Sequence, residues 1–150
     1  MAKTPINSKN NRIVTSFYIS QPGAPAATHT GSATDPYSVA DARLVASGLT
    51  WTSSSVYEST APVYIKGIVS YVSQGFTTTY NNATIYISDT GERNEEFQLY
   101  RVRYWDNADY NDGDPQVEVG DEVLVYGPIM NYRGNTPETV ANEAYLVSFN

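Results

Sequence analysis

Arg101 and Arg103, with Tyr86, Tyr100 and Tyr104 close by, are the side chains of this sequence best suited to holding a ligand. Tyrosine rings stack on nucleobases and guanidinium groups meet phosphates, so the set reads as a platform for single-stranded nucleic acid. Arg133, in the turn RGNTP at 133–137, adds a further cation. Strict alternation along 96–104 (EFQLYRVRY) puts Arg101 and Arg103 on one face with Phe97 and Leu99. Gln98, Tyr100, Val102 and Tyr104 then take the other face, which separates the cations from the rings. A solvated strand face of amphipathic Tyr and Arg accounts for the same residues without any ligand.

The second cluster is acidic. Asp106, Asp109, Asp112, Asp114, Glu118, Asp121 and Glu122 follow one another with no basic residue between them. Hard cations such as calcium seek clustered carboxylate oxygens. With Gly113 as the turn glycine, however, Ala108 and Tyr110 fall at ligand positions of a calcium loop, so a solvated acidic loop is expected instead. Such a loop repels phosphates. Gly120-Asp121 ahead of the run EVLVY reads as a tight turn whose aspartate caps backbone amides.

Catalytic constellations are not legible. His29 is the one histidine and lies in a Pro/Gly/Ala/Thr stretch at 21–33, where a general base would lack a fixed partner. The absence of cysteine removes thiol chemistry, thiolate zinc sites and disulfides. There is no Gly-rich phosphate loop and no metalloprotease motif. The expectation is a non-enzymatic chain with no catalytic residues, no metal and no cofactor.

The elements that must position these residues are strands. Thirteen of the 150 residues are tyrosine, which suits half-exposed sheet faces and interfaces. Segments 63–73, 83–88, 96–104, 121–132 and 144–149 carry strand patterns, with Gly67 marking a bend in the first and Gly127-Pro128 interrupting the fourth. The stretches 50–62, 74–82 and 133–137 read as loops or turns. One helix is expected after Ser38, an N-cap that forms a capping box with Asp41, and Gly48 is its natural stop. Ahead of it, 12–20 alternates as a strand, with Ile13, Thr15, Phe17 and Ile19 on one face and Val14, Ser16 and Tyr18 on the other. Residues 21–33 tether that strand, giving an extended arm and linker over 1–33 and a domain over 34–150.

Four pieces carry a resemblance: 35–42 (DPYSVADA), 63–69 (VYIKGIV), 85–91 (IYISDTG) and 119–132 (VGDEVLVYGPIMNY), the last followed by Arg133-Gly134 and Pro137-Glu138. Together they span roughly residues 31–150. In order and spacing they resemble the OB-fold domains common in Bacteroidetes surface proteins and lipoproteins, often described as nucleic-acid-binding. The resemblance implies an all-β chain: a five-stranded OB-fold-like barrel with one short N-terminal helix and an extended N-terminal arm. It also implies a ligand face on the second and third strands and the first and last hairpin loops. Basic residues near residue 1 are not followed by an apolar stretch, and there is no cysteine to lipidate, so neither an intact secretory signal nor a lipoprotein anchor is expected. That departure from the lipoproteins favours a virion or the cytoplasm over the cell surface, as for a component carried by a phage of such bacteria.

Charge weighs on the choice of partner. Nine Lys and Arg stand against sixteen Asp and Glu, a formal charge of −7, and net acidity disfavours nucleic acid. The leading expectation is therefore a structural or binding module acting through protein–protein contacts in a larger assembly, such as capsid decoration. In it Ile13, Phe17, Tyr18 and Ile19 of the arm meet a protein partner, and a homo-oligomer is compatible. Single-stranded nucleic-acid binding through Tyr86, Tyr100, Arg101, Arg103 and Arg133 is the alternative. A cell-surface carbohydrate- or peptide-binding module is a further one. No apolar run approaches the roughly 20 residues of a membrane span.

Overall fold

In the computed structural model of the chain, the described residues are Asn7–Lys9 and Arg12–Thr15, as backbone, and 26–150. The two short strands are β1 (Asn7–Lys9) and β2 (Arg12–Thr15); one helix follows, α1 (Val39–Ser47). The remaining strands are β3 (Trp51–Ser53), β4 (Val56–Thr60), β5 (Val63–Gln74), β6 (Asn82–Ser88), β7 (Phe97–Arg103), β8 (Glu122–Gly127), β9 (Ile129–Tyr132), β10 (Thr136–Thr139) and β11 (Tyr145–Phe149). Over the described residues the chain is thus mostly β, with one short α-helix and a 3-10 turn at Trp105–Asn107, as its strand-like sequence predicts.

The hydrophobic positions explain the sheet. On β5, Ile65 and Val69 point inward and are fully buried, while Lys66 faces out. They pack with Ile85 and Ile87 of β6, Phe97, Leu99 and Val102 of β7, Val123 and Val125 of β8 and Leu146 of β11. β5, β6 and β7 form an antiparallel meander, and β8 lies on the other side of β5. β11 pairs with β8 and returns to β7 in parallel through Tyr145 opposite Arg103. The pairings therefore run round a partial ring, joined at β7–β11 by one residue pair.

The rest of the sheet is a correction to the expected five-stranded barrel. β10 pairs with the first half of β7, then β9, β4 and finally β2 and β1 extend the sheet outward, with β3 hairpinned onto β4. β3 and β4 come from a segment that reads as loop, and β10 begins inside the turn read over 133–137. Their sequences, WTS, VYEST and TPET, are short and rich in Ser and Thr. They gain strand form from neighbours rather than from local pattern.

α1 covers the core with Val39, Ala42, Val45 and Ala46. The expected capping box is present: the Asp41 N–H donates to Ser38 Oγ, and the Asp41 carboxylate accepts from the Ser38 N–H. A second carboxylate, Asp89, accepts from the N–H groups of Val39 and Ala40 at 2.8 and 3.0 Å. Gly67 lets the helix sit this close, because a Cβ there would lie 2.7 Å from Val39 Cγ2.

The leading strand lies on the chain's own sheet. β2 runs parallel to β4, with Arg12 opposite Tyr57 and Ile13 opposite Glu58. Of the residues expected to meet a partner, Ile13 belongs to this ladder, and Phe17, Tyr18 and Ile19 lie outside the described residues. Residues 28–31, which read as free linker, are anchored. Thr28 and His29 bond to Asp41, and Gly31 exchanges backbone bonds with Asp35 and Tyr64.

Candidate functional site

The expected ligand residues sit on β7, and one bulge decides where they point. Ala83 of β6 stands opposite Val102, but Ile85 stands opposite Leu99, so Tyr100 and Arg101 together face the single residue Thr84. Arg101 takes φ +47°, in the left-handed region, which costs a non-glycine residue about 1 kcal/mol. The bulge resets the alternation. Phe97, Leu99 and Val102 all point into the core, Tyr104 follows them, and Tyr100, Arg101 and Arg103 stay outside. Strict alternation had placed the arginines beside Phe97 and Leu99; instead, Arg101 Cζ lies 5.1 Å from the centre of the Tyr100 ring.

This pair forms one wall of an open groove of about 710 Å³. Thr84 of β6 lines it, Gln74 comes from the end of β5, Thr79 and Tyr80 from the β5–β6 connection, and Asn82 and Asn142 complete the lining. Asn82 Nδ2 donates to Asn142 Oδ1 at 2.8 Å, tying the two ends together. Tyr80 is 67% exposed, the most open of the large apolar side chains among the described residues. Its loop is nonetheless firmly held. Phe76 is buried against Tyr104 and Tyr110, and Gln116 both donates to the Phe76 carbonyl and accepts from its N–H. The groove offers two phenol rings, one guanidinium and several amides. Such a surface recognises planar or acceptor-rich groups, peptide units included.

Of the five residues read as ligand-binding, the structure brings Tyr100 and Arg101 together and separates the other three. Tyr86 lies under Arg93, whose Cζ is 5.4 Å from its ring and 4.0 Å from that of Tyr71. Arg93 is clamped by Glu96 at 3.0 Å, and Glu96 also accepts from Ser70 Oγ at 2.6 Å. Burial works to raise the Glu96 carboxyl, but the bonds from Arg93 and Ser70 outweigh it and hold it below the usual range. Arg103 is held by Asn107 and by Asp109 at 3.1 Å. Arg133 sits in the β9–β10 turn at φ +55°, with its guanidinium 5.2 Å from the Tyr132 ring. Tyr80, Asn82 and Asn142 were missed; a polar loop gives no signal of the groove it borders.

The other expected clusters resolve into structure. Asp114 accepts from the Asn111 N–H, and Asp121 from the Glu118 N–H, so these carboxylates serve turns of the acidic loop. That loop is pinned by buried Tyr110 and Val117 and by the bond from Tyr104 Oη to the Pro115 carbonyl. His29, expected to lack a partner, has one: its Nδ1 lies 2.6 Å from Asp41 Oδ2. The bond to Asp41 raises the imidazole pKa. Burial pushes the Asp41 carboxyl up, yet bonds from Thr28, His29 and Ser38 bring it below its ordinary value. Asp41 is already committed to the helix cap, so this pair reads as an anchor for the approach to α1.

No protein-family model matches this chain, and neither a curated protein nor a solved structure does. No described helix is long and apolar enough to cross a membrane.

Proposed function

We propose that this chain is a non-enzymatic OB-type binding module that acts through protein–protein contacts in a larger assembly. Its working surface is the outside of β7 around Tyr100 and Arg101. The order β5–β6–β7–β11–β8, with a parallel β7–β11 step, supports the OB reading. In that topology the groove falls between the first and last hairpin connections, where OB domains take extended ligands. One observation carries the protein-contact reading: the wall at Tyr100 is mixed in charge. Arg101 lines this groove, and Glu138 and Glu143 are among the residues lining a second hollow that also includes Tyr100. A peptide meets both signs with its own side chains, whereas a polyphosphate finds one cation, Arg101, among the described residues of the groove. A virion auxiliary or capsid-decoration protein is the kind of assembly member that the sequence resemblance suggests.

Single-stranded nucleic acid is the second reading, favoured by the placement of Arg101 beside Tyr100 with Tyr80 across the groove. One experiment separates the two. A displayed peptide library is selected on the wild type and on a Tyr100→Ala/Arg101→Ala variant, while oligo(dT) anisotropy is read at low and moderate salt. Peptides enriched on the wild type alone, with flat anisotropy, support the module. Salt-sensitive oligo(dT) binding lost in Arg101→Ala, with no enriched peptide, replaces it by the nucleic-acid reading.

A further inference from the structure

Tyr100 has a second side. Its ring also lines a cavity of about 290 Å³ whose other walls include Trp51, Tyr57 and Tyr132, with Glu138 and Glu143 among the lining residues. Trp51 and Tyr132 meet nearly at right angles, 73° apart with ring centres 5.7 Å from each other, so two aromatic surfaces form a corner. Three neighbours build this corner: β3 supplies Trp51, the pairing of Trp51 with Tyr57 fixes β3 on β4, and β9 brings Tyr132.

Glu138 is the unusual member. It is only 3% exposed, and its one side-chain partner among the described residues is Gln98, whose Nε2 donates to Oε1 at 2.6 Å. No Lys, Arg or His lines the cavity among the described residues. Arg133 lies over Tyr132 but not in this lining. A buried carboxylate with no cation among its described neighbours is costly, and it is relieved either by taking a proton or by receiving a positive charge. The walls favour the second route, because ring faces attract cations and do so more strongly out of water. The volume, at the low end for ligand pockets, suits one side chain.

We propose that this cavity receives the ammonium of a lysine side chain presented by a partner protein, with Glu138 as its counter-ion and Trp51, Tyr57, Tyr100 and Tyr132 as its cage. The proposal rests on the protein-contact reading and names the chemistry of that contact. The carbon stem of the lysine lies against the rings, and its charge meets the Glu138 carboxylate.

The test uses the full chain with Trp105→Phe, so that fluorescence reports Trp51, the other of the two tryptophans. The probes are the capped peptides Gly-Gly-Lys-Gly-Gly and Gly-Gly-Nle-Gly-Gly, where Nle (norleucine) keeps the stem without the charge, and N-acetylglucosamine as a neutral ligand. The lysine peptide should saturate, bind about tenfold more tightly than the norleucine peptide, and lose about tenfold in affinity with Glu138→Gln. Glu138→Gln keeps the Gln98 bond, and its circular dichroism and Tm verify the fold. Equal binding of the two peptides, affinity unchanged by Glu138→Gln, no saturation by the lysine peptide, or preference for the sugar each overturns the proposal. If the library selection still yields lysine-free peptides dependent on Tyr100, the cage falls and the binding module stands.

Discussion

The two hollows that share Tyr100 differ in how they are made and in their charge. The groove is open, lies over β6 and β7, and owes its cation to a bulge that forces Arg101 into the left-handed region. The cavity is smaller, is built on the added strands β3, β4, β9 and β10, and owes its charge to a glutamate held inside the protein. One spends backbone strain to present a charge to water; the other spends desolvation to keep a charge away from it. The comparison teaches that strands appended to the partial ring give one tyrosine two chemically opposite neighbourhoods.

The largest effect should come from the buried charge. Burial pushes the Glu138 carboxyl up to about 7 from 4.5, with the Gln98 bond opposing. The folded state thus keeps its proton to higher pH than the unfolded chain. Stability present below the unfolded value is lost as pH rises toward and through about 7. The other titratable groups lining the cavity are Glu143, Tyr57, Tyr100 and Tyr132. Glu138→Gln should therefore add up to about 3 kcal/mol above neutral pH and little near pH 4.5, read as the difference between two denaturation series. His29, whose pKa is also raised, weakens the fold over a neighbouring window, but it cancels in that difference. A constant difference from acid to alkaline pH would show that Glu138 carries no uncompensated charge.

Next comes the strained side. Arg101→Gly should stabilise by about 1 kcal/mol, because glycine adopts this φ without steric cost, while the groove loses its cation. Urea unfolding checks it, and a loss of stability would mean that Arg101 contributes more through Tyr100 than its backbone costs. Arg103→Ala should cost about 0.5 kcal/mol at low salt and less at high salt, since its partner Asp109 is 70% exposed. Tyr80→Ala should change stability by less than about 0.5 kcal/mol yet weaken any ligand of the groove, leaving lysine-peptide binding in the cavity untouched. An equal loss at both sites would show that the hollows act as one.

The sequence makes the ring legible and the second hollow illegible, for physical reasons. Ile65, Ile85, Ile87, Leu99, Val123 and Leu146 alternate because one face of each strand meets the core. Ser38 and Asp41 announce the helix start because a capping box is local. By contrast, β3 and β4 lie in a Ser/Thr-rich stretch, and β10 contains Pro137, so none of the three shows a strand period. Glu138 directly follows the stretch 133–137 that reads as a turn, and its burial depends on neighbours distant in sequence, Gln98 among them. The face of Arg101 is illegible for a similar reason: one extra residue inverts every position after it, and its cause, the two-for-one match to Thr84, lies on another strand.

The cap that Asp89 places on α1 orders the assembly of the molecule in time. A nine-residue helix is too short to persist alone in water. Two of its first amide groups wait for a carboxylate about fifty positions downstream. During synthesis α1 leaves the ribosome before Asp89 does, so this part of its N-terminal cap is complete only after the β6–β7 connection has been made. Substitutions in α1 should then speed unfolding and leave the refolding rate nearly unchanged.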